Sequence, residues 1–216
     1  MFSSKPPQAK EMARVLFPAF IGKDDVVIEV GADVGGSTYV LSKLSKQVYA
    51  FEPNPFSFTH LERSMRKARN VQVFKLGAGA AEETVNFKLP QLAKMPRGSR
   101  SMPVNLIRLD AFKFNLVPTC LVMDCGGAEL KVLKGAEGLF KSQAIWTAIL
   151  ETHQLTDSIN TATETTLWLL DHGLKTQTRE ARDGSLWVTA VSSKRTVWRG
   201  DIHFDGNNSN GPDVPT

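Results

Sequence analysis

The stretch from Val26 to Asn54 reads VVIEVGADVGGSTYVLSKLSKQVYAFEPN and decides the fold. It opens with β-branched residues and ends that run in glycines, which is typical of a buried parallel strand. A helical pattern follows over Ser37–Ser45, and a second strand-like run, Gln47–Phe51, stops before Pro53. A strand, a glycine turn, a helix and a second strand in this order predict a βαβ unit.

Outside this unit, strand-like and helix-like runs continue to alternate. Further strands are predicted at Val71–Leu76, Thr84–Leu89, Asn105–Arg108, Cys120–Met123, Ala144–Leu150, Leu174–Arg179 and Leu186–Val191, and helices at Phe58–Ala68, Leu130–Phe140 and Thr161–Gly173. The dipeptide Asp183-Gly184 between the last two strands is typical of a hairpin. We therefore predict an α/β fold with a doubly wound, mostly parallel seven-stranded sheet that ends in an antiparallel hairpin. A small β insertion follows its third strand.

Length and composition favour one domain. The chain has 216 residues, of which 42% are hydrophobic and 22% charged, as in an ordinary globular protein. We predict a single domain over residues 1–204, with an insertion at 84–109 and a disordered tail at 205–216. No apolar run approaches the roughly 20 residues of a membrane-spanning helix, and no signal-peptide core is visible. Two cysteines, predicted to be reduced, favour a cytoplasmic protein, and no metal-ligand spacing is present.

The glycine turn and two glutamates indicate the ligand. Glycines at 31 and 35 let the backbone turn sharply and let a ligand approach closely. Glu52 follows the next strand, about 20 residues on, where a carboxylate can accept hydrogen bonds from both hydroxyls of an adenosine ribose. Glu29 would repel a pyrophosphate but suits the ammonium group of S-adenosylmethionine. A dinucleotide-binding turn needs a further glycine that is absent here, so an NAD(P)-dependent oxidoreductase is the less favoured alternative. The plain structural interpretation is a tight turn with Glu52 capping a strand.

Four blocks of sequence carry a resemblance to a known family. They are VVIEVGADVGGSTYVLSKL, VYAFEPNP, VMDCGGAELKVLKGA and ILETH, within roughly residues 24–155. In order and spacing they resemble the FkbM-type family of S-adenosylmethionine-dependent methyltransferases. The resemblance implies a Rossmann-like class I fold, S-adenosylmethionine as cofactor, and methyl transfer to a hydroxyl on a sugar or other small metabolite. Asp33 replaces the family's usual Asn and Gly126 its usual Glu, so a cofactor-binding protein without catalysis is a second alternative.

Cofactor contacts follow from these motifs. We expect Glu29 to meet the methionine ammonium, and Asp124 to meet the cofactor or the acceptor. The remaining predicted cofactor-binding residues are Gly31, Ala32, Asp33 and Gly35 for the methionine portion, Glu52 and Pro53 for the ribose, Asn54 for the ribose or the adenine edge, and Gly77 for the adenine. Gly77 is equally consistent with a plain turn.

Three residues are candidates for catalysis. Asp124 ends a strand and Glu129 lies one turn into the next helix, while His153 follows the fifth strand of the predicted sheet. A hydroxyl acceptor needs a general base, and the ordinary pKa range of histidine suits that role. Structural interpretations stay open for each: a helix cap for Asp124, a favourable helix-dipole contact for Glu129, and a buried structural histidine for His153.

Basic charge is concentrated in one segment. The net charge is +4, and the insertion holds Lys94, Arg97 and Arg100 in a stretch without acids. We predict that these three residues attract an acidic, hydroxylated small acceptor, although a solvated loop would carry the same charge. A basic chain also fits an RNA methyltransferase, but the sequence lacks RNA-reading motifs, so nucleic acid is disfavoured. A membrane partner is not expected. So short a chain suits a small acceptor or a homodimer that completes the site.

Overall fold

The computed structural model describes residues 11–88, 101–152, 154–156 and 159–193. The helices are α1 (Glu11–Phe20), α2 (Gly36–Leu44), α3 (Pro55–Met65), α4 (Glu129–Gly135), α5 (Glu137–Lys141) and α6 (Thr161–Asp171). The strands are β1 (Val26–Val30), β2 (Gln47–Phe51), β3 (Val71–Phe74), β4 (Gly77–Ala78), β5 (Glu83–Lys88), β6 (Ser101–Ile107), β7 (Cys120–Met123), β8 (Thr147–Thr152), β9 (Gln154–Thr156), β10 (Ile159–Asn160), β11 (Leu174–Glu180) and β12 (Leu186–Ser192). The predicted tail at 205–216 lies outside the described residues.

A seven-stranded sheet forms the centre of the molecule. Its order is β11-β12-β8-β7-β1-β2-β3. Strands β8, β7, β1, β2 and β3 run parallel, while β12 is antiparallel to both β8 and β11. The mostly parallel sheet with a closing hairpin is therefore confirmed. Gly184, at φ 83, lies in the predicted turn between the last two strands.

The register of the sheet gathers three strand ends at one edge. Val30, the last residue of β1, lies opposite Phe51 of β2 and Met123 of β7. The residues that follow these strands, Gly31, Glu52 and Asp124, therefore emerge side by side. This edge, at the carboxyl ends of neighbouring parallel strands, is where doubly wound folds bind their ligands.

Both faces of the sheet are covered by apolar packing, as parallel strands require. One face packs against α1, α2 and α3 through buried residues such as Phe17, Leu41 and Leu61. The other packs against α4 and α6 and against the segment after β6, with Leu133 and Leu169 in its core. Since β1, β7 and β8 are buried throughout, a ligand can approach these strands at their ends.

The predicted insertion is a separate three-stranded sheet of order β4-β6-β5. Thr84 lies opposite Asn105 in the antiparallel pair β5–β6. Gly77 belongs to β4, where an added Cβ would lie 2.5 Å from Leu106 Cδ2. Arg108 donates through Nε and Nη2 to Asp110 at 3.0 and 2.6 Å, and this pair fixes the return of the chain toward β7.

Two predictions about the helices differ from the structure. Helix α1 was not predicted, although Ala13, Leu16 and Phe17 are buried at helical spacing. The single helix predicted over Leu130–Phe140 is two short helices that meet at Ala136. Here the chain approaches the insertion so closely that a Cβ on Gly135 would lie 1.9 Å from the Gly79 carbonyl oxygen. Across the part of the chain that the structure describes, no helix is long and apolar enough to cross a membrane.

Candidate functional site

The loop between β1 and α2 is built around close backbone contacts. Gly31 has φ +83, and a Cβ there would lie 2.0 Å from the carbonyl oxygen of Asp124. The backbone N–H groups of Gly31 and Ala32 donate to the Phe51 carbonyl at 2.9 and 3.2 Å. Gly35, at φ +98, precedes α2, where a Cβ would lie 3.1 Å from Leu61 Cδ1. A side chain at either glycine would push the loop away from the neighbouring elements.

The carboxylate of Glu52 is held in place by two backbone N–H groups. Its Oε2 accepts from Asp33 at 2.8 Å and its Oε1 from Asn54 at 2.7 Å. Burial raises the pKa of Glu52, and the two N–H donors counteract that effect. Each oxygen keeps further lone pairs, so a carboxylate oriented in this way can still accept hydrogen bonds from the two hydroxyls of a ribose.

Glu29 is a buried carboxylate with an unused oxygen. Its Oε1 accepts a short hydrogen bond from Ser37 Oγ, whereas its Oε2 makes no hydrogen bond within the described part of the chain. Burial raises the pKa of Glu29 to about 7, against the opposing effect of the Ser37 and Thr38 hydroxyls. A buried anion without a counterion is costly, so this group suits a cationic ligand.

Asp33 and Asn54, whose backbone N–H groups bind Glu52, also make side-chain hydrogen bonds of their own. Asp33 has φ 46, a left-handed conformation that Asp tolerates better than most residues, and its Oδ1 accepts from Ser57 Oγ at 2.7 Å. Asn54 caps α3, because its Oδ1 accepts from the Phe56 N–H at 3.0 Å. Pro53 lies 3.5 Å from the position that a Cβ on Gly77 would take, so it contacts the insertion.

A cleft of about 170 Å³ opens beside the glycine loop. Among the predicted residues, Glu29, Gly31, Ala32, Asp33 and Asp124 line it. Glu52, Asn54 and Gly77 are not part of its wall. Small-molecule sites commonly measure about 300–1,000 Å³, so the cleft fits one portion of a nucleoside-sized cofactor.

Several lining residues were missed from the sequence. Ala13 and Phe17 of α1, Ser37 of α2 and Trp187 of β12 also line the cleft. The helical spacing of buried residues in α1 was a usable signal. Trp187 reaches the site only because β12 inserts between β8 and β11, which the sequence alone does not reveal.

Of the three predicted catalytic residues, Asp124 reaches the cleft, whereas Glu129 binds the turn before α4. Asp124 lines the cleft. Glu129 is fully buried, and its Oε1 accepts from the Gly127 N–H at 3.0 Å, so it stabilises the turn before α4. Removal from water, together with the carboxylates of Glu129 and Asp124, holds the pKa of Cys125 well above its usual value, which keeps the thiol protonated. His153 lies outside the described residues.

Gly126 occupies open space beside Asp124. It has φ +62, and nothing lies within 4 Å of the position that a Cβ would take. The site therefore carries no side chain where the FkbM motif usually has Glu. The predicted substrate contacts Lys94, Arg97 and Arg100 lie outside the described residues. No group of three or more His, Cys, Asp or Glu side chains in the described ranges could hold a metal ion.

Similar folds occur in solved methyltransferases. Methyltransferase FkbM from Methylobacillus flagellatus KT has a TM-score of 0.60 at 18% identity over 83% of this chain, which spans only 48% of that protein. A precorrin-6y C5,15-methyltransferase from Geobacter metallireducens GS-15 has 0.54 at 17% identity, covering 88% of this chain and 96% of the other. The Streptococcus mutans protein SMU.1697c, solved with S-adenosylhomocysteine, has 0.57 at 12% identity, with 84% and 96% covered. At such identities the likeness shows the fold alone.

Sequence comparison goes further. No curated protein sequence gives a significant match. The sequence model of one family, described as "Methyltransferase FkbM domain", matches residues 29–176. This match covers more than half of the chain and includes Glu29, the glycine loop, Glu52 and Asp124. The chain belongs to the FkbM methyltransferase domain family.

Proposed function

We propose that the protein transfers a methyl group from S-adenosylmethionine to a hydroxyl oxygen of a small acceptor, such as a sugar or another small metabolite. The observation that carries the proposal is that Asp124 lines the same cleft as the buried carboxylate of Glu29. One carboxylate suits the cationic end of the cofactor, and the other is available to an acceptor hydroxyl.

The residues at this edge fit the cofactor. The unused Oε2 of Glu29 suits an ammonium group, and the carboxylate of Glu52 suits the ribose hydroxyls. Gly31 keeps the ends of β1 and β7 close together, which leaves backbone rather than side chains at the base of the cleft. These features recognise a molecule with a cation at one end and a ribose at the other.

The chemistry divides between cofactor and protein. The bound cofactor supplies an electrophilic methyl group on a sulfonium centre. Glu29 and Glu52 orient it, and orientation alone contributes on the order of 7–11 kcal/mol in favourable reactions. The Asp124 carboxylate would accept the proton that the acceptor hydroxyl loses, while the carbon–sulfur bond of the cofactor would break as the new carbon–oxygen bond forms, which leaves S-adenosylhomocysteine. General-base action of this kind contributes about 10²–10⁴-fold. His153 is the second proposed base.

An apolar wall supports the transfer. Phe17 and Trp187 are 1% and 3% exposed and line the cleft together with Ala13. They lower the local dielectric constant, which strengthens the interaction of Glu29 with a cationic ligand. They also keep water away from the reacting oxygen.

The decisive experiment measures methyl transfer from labelled S-adenosylmethionine to a panel of hydroxylated acceptors, with mass spectrometry of the products. Asp124→Asn is expected to lower kcat by 10²-fold or more while leaving S-adenosylhomocysteine affinity within about threefold. The control, Asp171→Asn on the exposed side of α6, is expected to match the wild type. Calorimetric binding of NAD but not of S-adenosylhomocysteine would contradict the proposal and favour an oxidoreductase.

The second candidate function is binding of the cofactor without catalysis. Gly126 removes one carboxylate beside the cleft, and Glu129 accepts from the Gly127 N–H before α4, so Asp124 is the acid from this segment that lines the cleft. A protein that only binds the cofactor would show normal S-adenosylhomocysteine affinity and no transfer to any acceptor. Methyl transfer gained by Gly126→Glu would support this second function, and transfer by the wild type would dismiss it.

The acceptor is proposed to be acidic. This proposal rests on Lys94, Arg97 and Arg100, which are the cations of the predicted insertion loop. Replacing all three by Gln is expected to raise KM for a carboxylated or phosphorylated acceptor without changing kcat. Sedimentation at several protein concentrations tests the proposed homodimer, and an RNA acceptor is tested by the salt dependence of RNA binding.

A further inference from the structure

The edge of the main sheet opposite the cleft carries a cluster of exposed cations. Here the chain enters β1, β2 and β3, which lie side by side in the sheet. The loops and helix ends that lead into these strands hold six exposed basic residues, which we name the cationic edge: Lys23, Lys43, Lys46, Arg66, Lys67 and Arg69. Within residues 22–25, 42–46 and 66–70, Asp24 is the exposed acid, since Asp25 is 3% exposed. The edge is therefore strongly positive.

Hydrogen bonds fix these loops against one another. Asn70 Nδ2 donates to the carbonyl oxygens of Ser42 and Ser45 at 2.9 and 3.2 Å. The Lys46 N–H donates to the Asp25 carbonyl at 2.8 Å, and the Lys23 ammonium donates to the Lys43 carbonyl. The cations thus project from a rigid framework, so a ligand that meets them does not have to order the loops.

Four of these cations have no ion-pair partner among the described residues. Lys46, Arg66, Lys67 and Arg69 form no ion pair with another described residue, whereas Arg108 pairs with Asp110 and Lys141 with Glu137. Neighbouring strands are only about 5 Å apart, so the cations of adjacent loops repel each other. An anionic surface would relieve that repulsion.

An apolar loop tip lies at the same edge. Val117 is 69% exposed and Leu116 is 37% exposed. They precede β7, the neighbour of β1 on the side away from β2, and the N–H of Thr119 donates to the Val26 carbonyl at 2.8 Å. Val117 therefore lies near the start of β1, next to the loop that holds Lys23. Cations beside an exposed apolar tip are the two features that bind proteins to an anionic membrane surface.

We propose that the cationic edge and the Val117 tip dock the protein reversibly on an anionic lipid surface. The cations contact headgroup phosphates, and Val117 enters the interfacial layer. A nucleic acid would use the same cations, but its phosphate backbone would not require the exposed aliphatic tip. The sequence-based expectation of no membrane partner rested on the lack of a spanning segment, which surface docking does not need. The cleft, at the opposite edge, then faces away from the bilayer.

Vesicle flotation tests the proposal with the full chain. Vesicles of phosphatidylcholine with one quarter phosphatidylserine are expected to bind the wild type, and pure phosphatidylcholine vesicles are not. The triple variant Lys46→Gln, Lys67→Gln, Arg69→Gln is expected to bind about 100-fold more weakly, because each cation near the surface contributes about fivefold. A control with the same net charge, Lys131→Gln, Lys134→Gln, Lys175→Gln, is expected to bind like the wild type. Equal losses in both triple variants, or none in either, would overturn the proposal.

The apolar tip and an RNA competitor separate a membrane from a nucleic acid. Val117→Asn is expected to weaken vesicle binding about tenfold. A single-stranded oligouridine should bind weakly and compete poorly. Tight oligouridine binding that depends on the three edge cations but not on Val117, without vesicle binding, would replace the lipid proposal by a nucleic-acid one. Every variant is expected to keep the thermal unfolding temperature and the S-adenosylhomocysteine affinity of the wild type, which would confirm that it is folded. Neither measurement depends on the proposed methyl transfer.

Discussion

The backbone nitrogen of Asp33 donates a hydrogen bond to Glu52 Oε2 over 2.8 Å, and this bond joins the glycine loop after β1 to the end of β2. Asp33 holds a left-handed backbone, at φ 46, while it does so. The carboxylate that we propose to bind the ribose is thus positioned by the loop that we propose to hold the methionine portion of the cofactor. Changes at either residue are therefore expected to affect the whole cofactor site.

Glu52→Ala is expected to weaken S-adenosylhomocysteine binding by about 1.5–3 kcal/mol, the range for hydrogen bonds to a charged group. The variant also leaves the N–H groups of Asp33 and Asn54 without their acceptor, so the loop itself loses order. Isothermal calorimetry measures the effect. Glu62→Ala, at an exposed position of α3, is the control and should bind normally. Wild-type affinity for Glu52→Ala would mean that the ribose is bound elsewhere.

Gly31→Ala is expected to destabilise the fold by about 3 kcal/mol or more, because the new Cβ would lie 2.0 Å from the Asp124 carbonyl oxygen and the clash needs backbone movement. Gly184→Ala is a matched control. It has the same φ of +83, yet nothing lies within 4 Å of its Cβ position, so only the left-handed strain of about 1–2 kcal/mol applies. Urea unfolding of both variants isolates the cost of the close contact. Equal losses would show that the ends of β1 and β7 can separate freely.

Glu29 makes stability depend on pH. Burial raises its pKa from 4.5 to about 7, so between these values the folded protein holds a proton that the unfolded chain has released. The contribution of Glu29 to the free energy of unfolding is therefore largest at low pH, falls as the pH rises from about 4.5, and levels off above about 7, with a loss of about 3 kcal/mol. Glu29→Gln should remove this loss. Urea titrations across the range test it, and identical profiles for both proteins would contradict it.

Cofactor affinity should follow the opposite trend with pH. The ammonium group of the ligand needs the ionised form of Glu29, so S-adenosylhomocysteine affinity is expected to rise as the pH increases toward about 7. Below the pKa the rise is at most about tenfold per pH unit. Glu29→Gln should bind weakly with a flat profile. A wild-type profile that is also flat would place the ammonium away from Glu29.

The sequence was sufficient to predict the sheet, because each strand carries its own signal. Buried parallel strands need continuous apolar runs, and Gln47–Phe51 and Cys120–Met123 match the observed strands residue for residue. The glycine turn carries a signal of its own for a similar reason. Backbone that approaches another strand as closely as Gly31 does cannot carry a side chain.

The sequence could not predict which way each polar side chain turns. Asn54 was expected to face the ribose or the adenine edge, and its Oδ1 caps α3. Glu129 was a candidate for catalysis, and its Oε1 supports the turn at Gly127. Asn and Glu satisfy a helix N-terminus or a ligand with the same atoms, so only the tertiary structure separates the two roles. Phe17 was missed because the wall of a cleft depends on which helix packs over it.

Asp25→Ala is expected to destabilise the protein by about 3 kcal/mol, since Asp25 is a buried carboxylate that joins three segments of the chain. Its Oδ2 accepts from the Gly22 N–H at 2.8 Å, and its Oδ1 accepts from Thr119 Oγ1 at 3.0 Å and from Trp146 Nε1 at 3.3 Å. Without it, the Gly22 N–H and Trp146 Nε1 lose this acceptor at the starts of β1 and β8, and Thr119 Oγ1, before β7, keeps the more distant Val26 carbonyl at 3.4 Å. Asp24→Ala removes the same charge from the adjacent exposed position and is expected to change stability by less than about 0.5 kcal/mol. Chemical denaturation of both variants separates the effect of losing a buried carboxylate from the effect of losing one negative charge. A similar small loss of stability in both would mean that water reaches these donors. S-adenosylhomocysteine affinity should stay normal in folded Asp25→Ala, because the cleft lies at the opposite edge of the sheet.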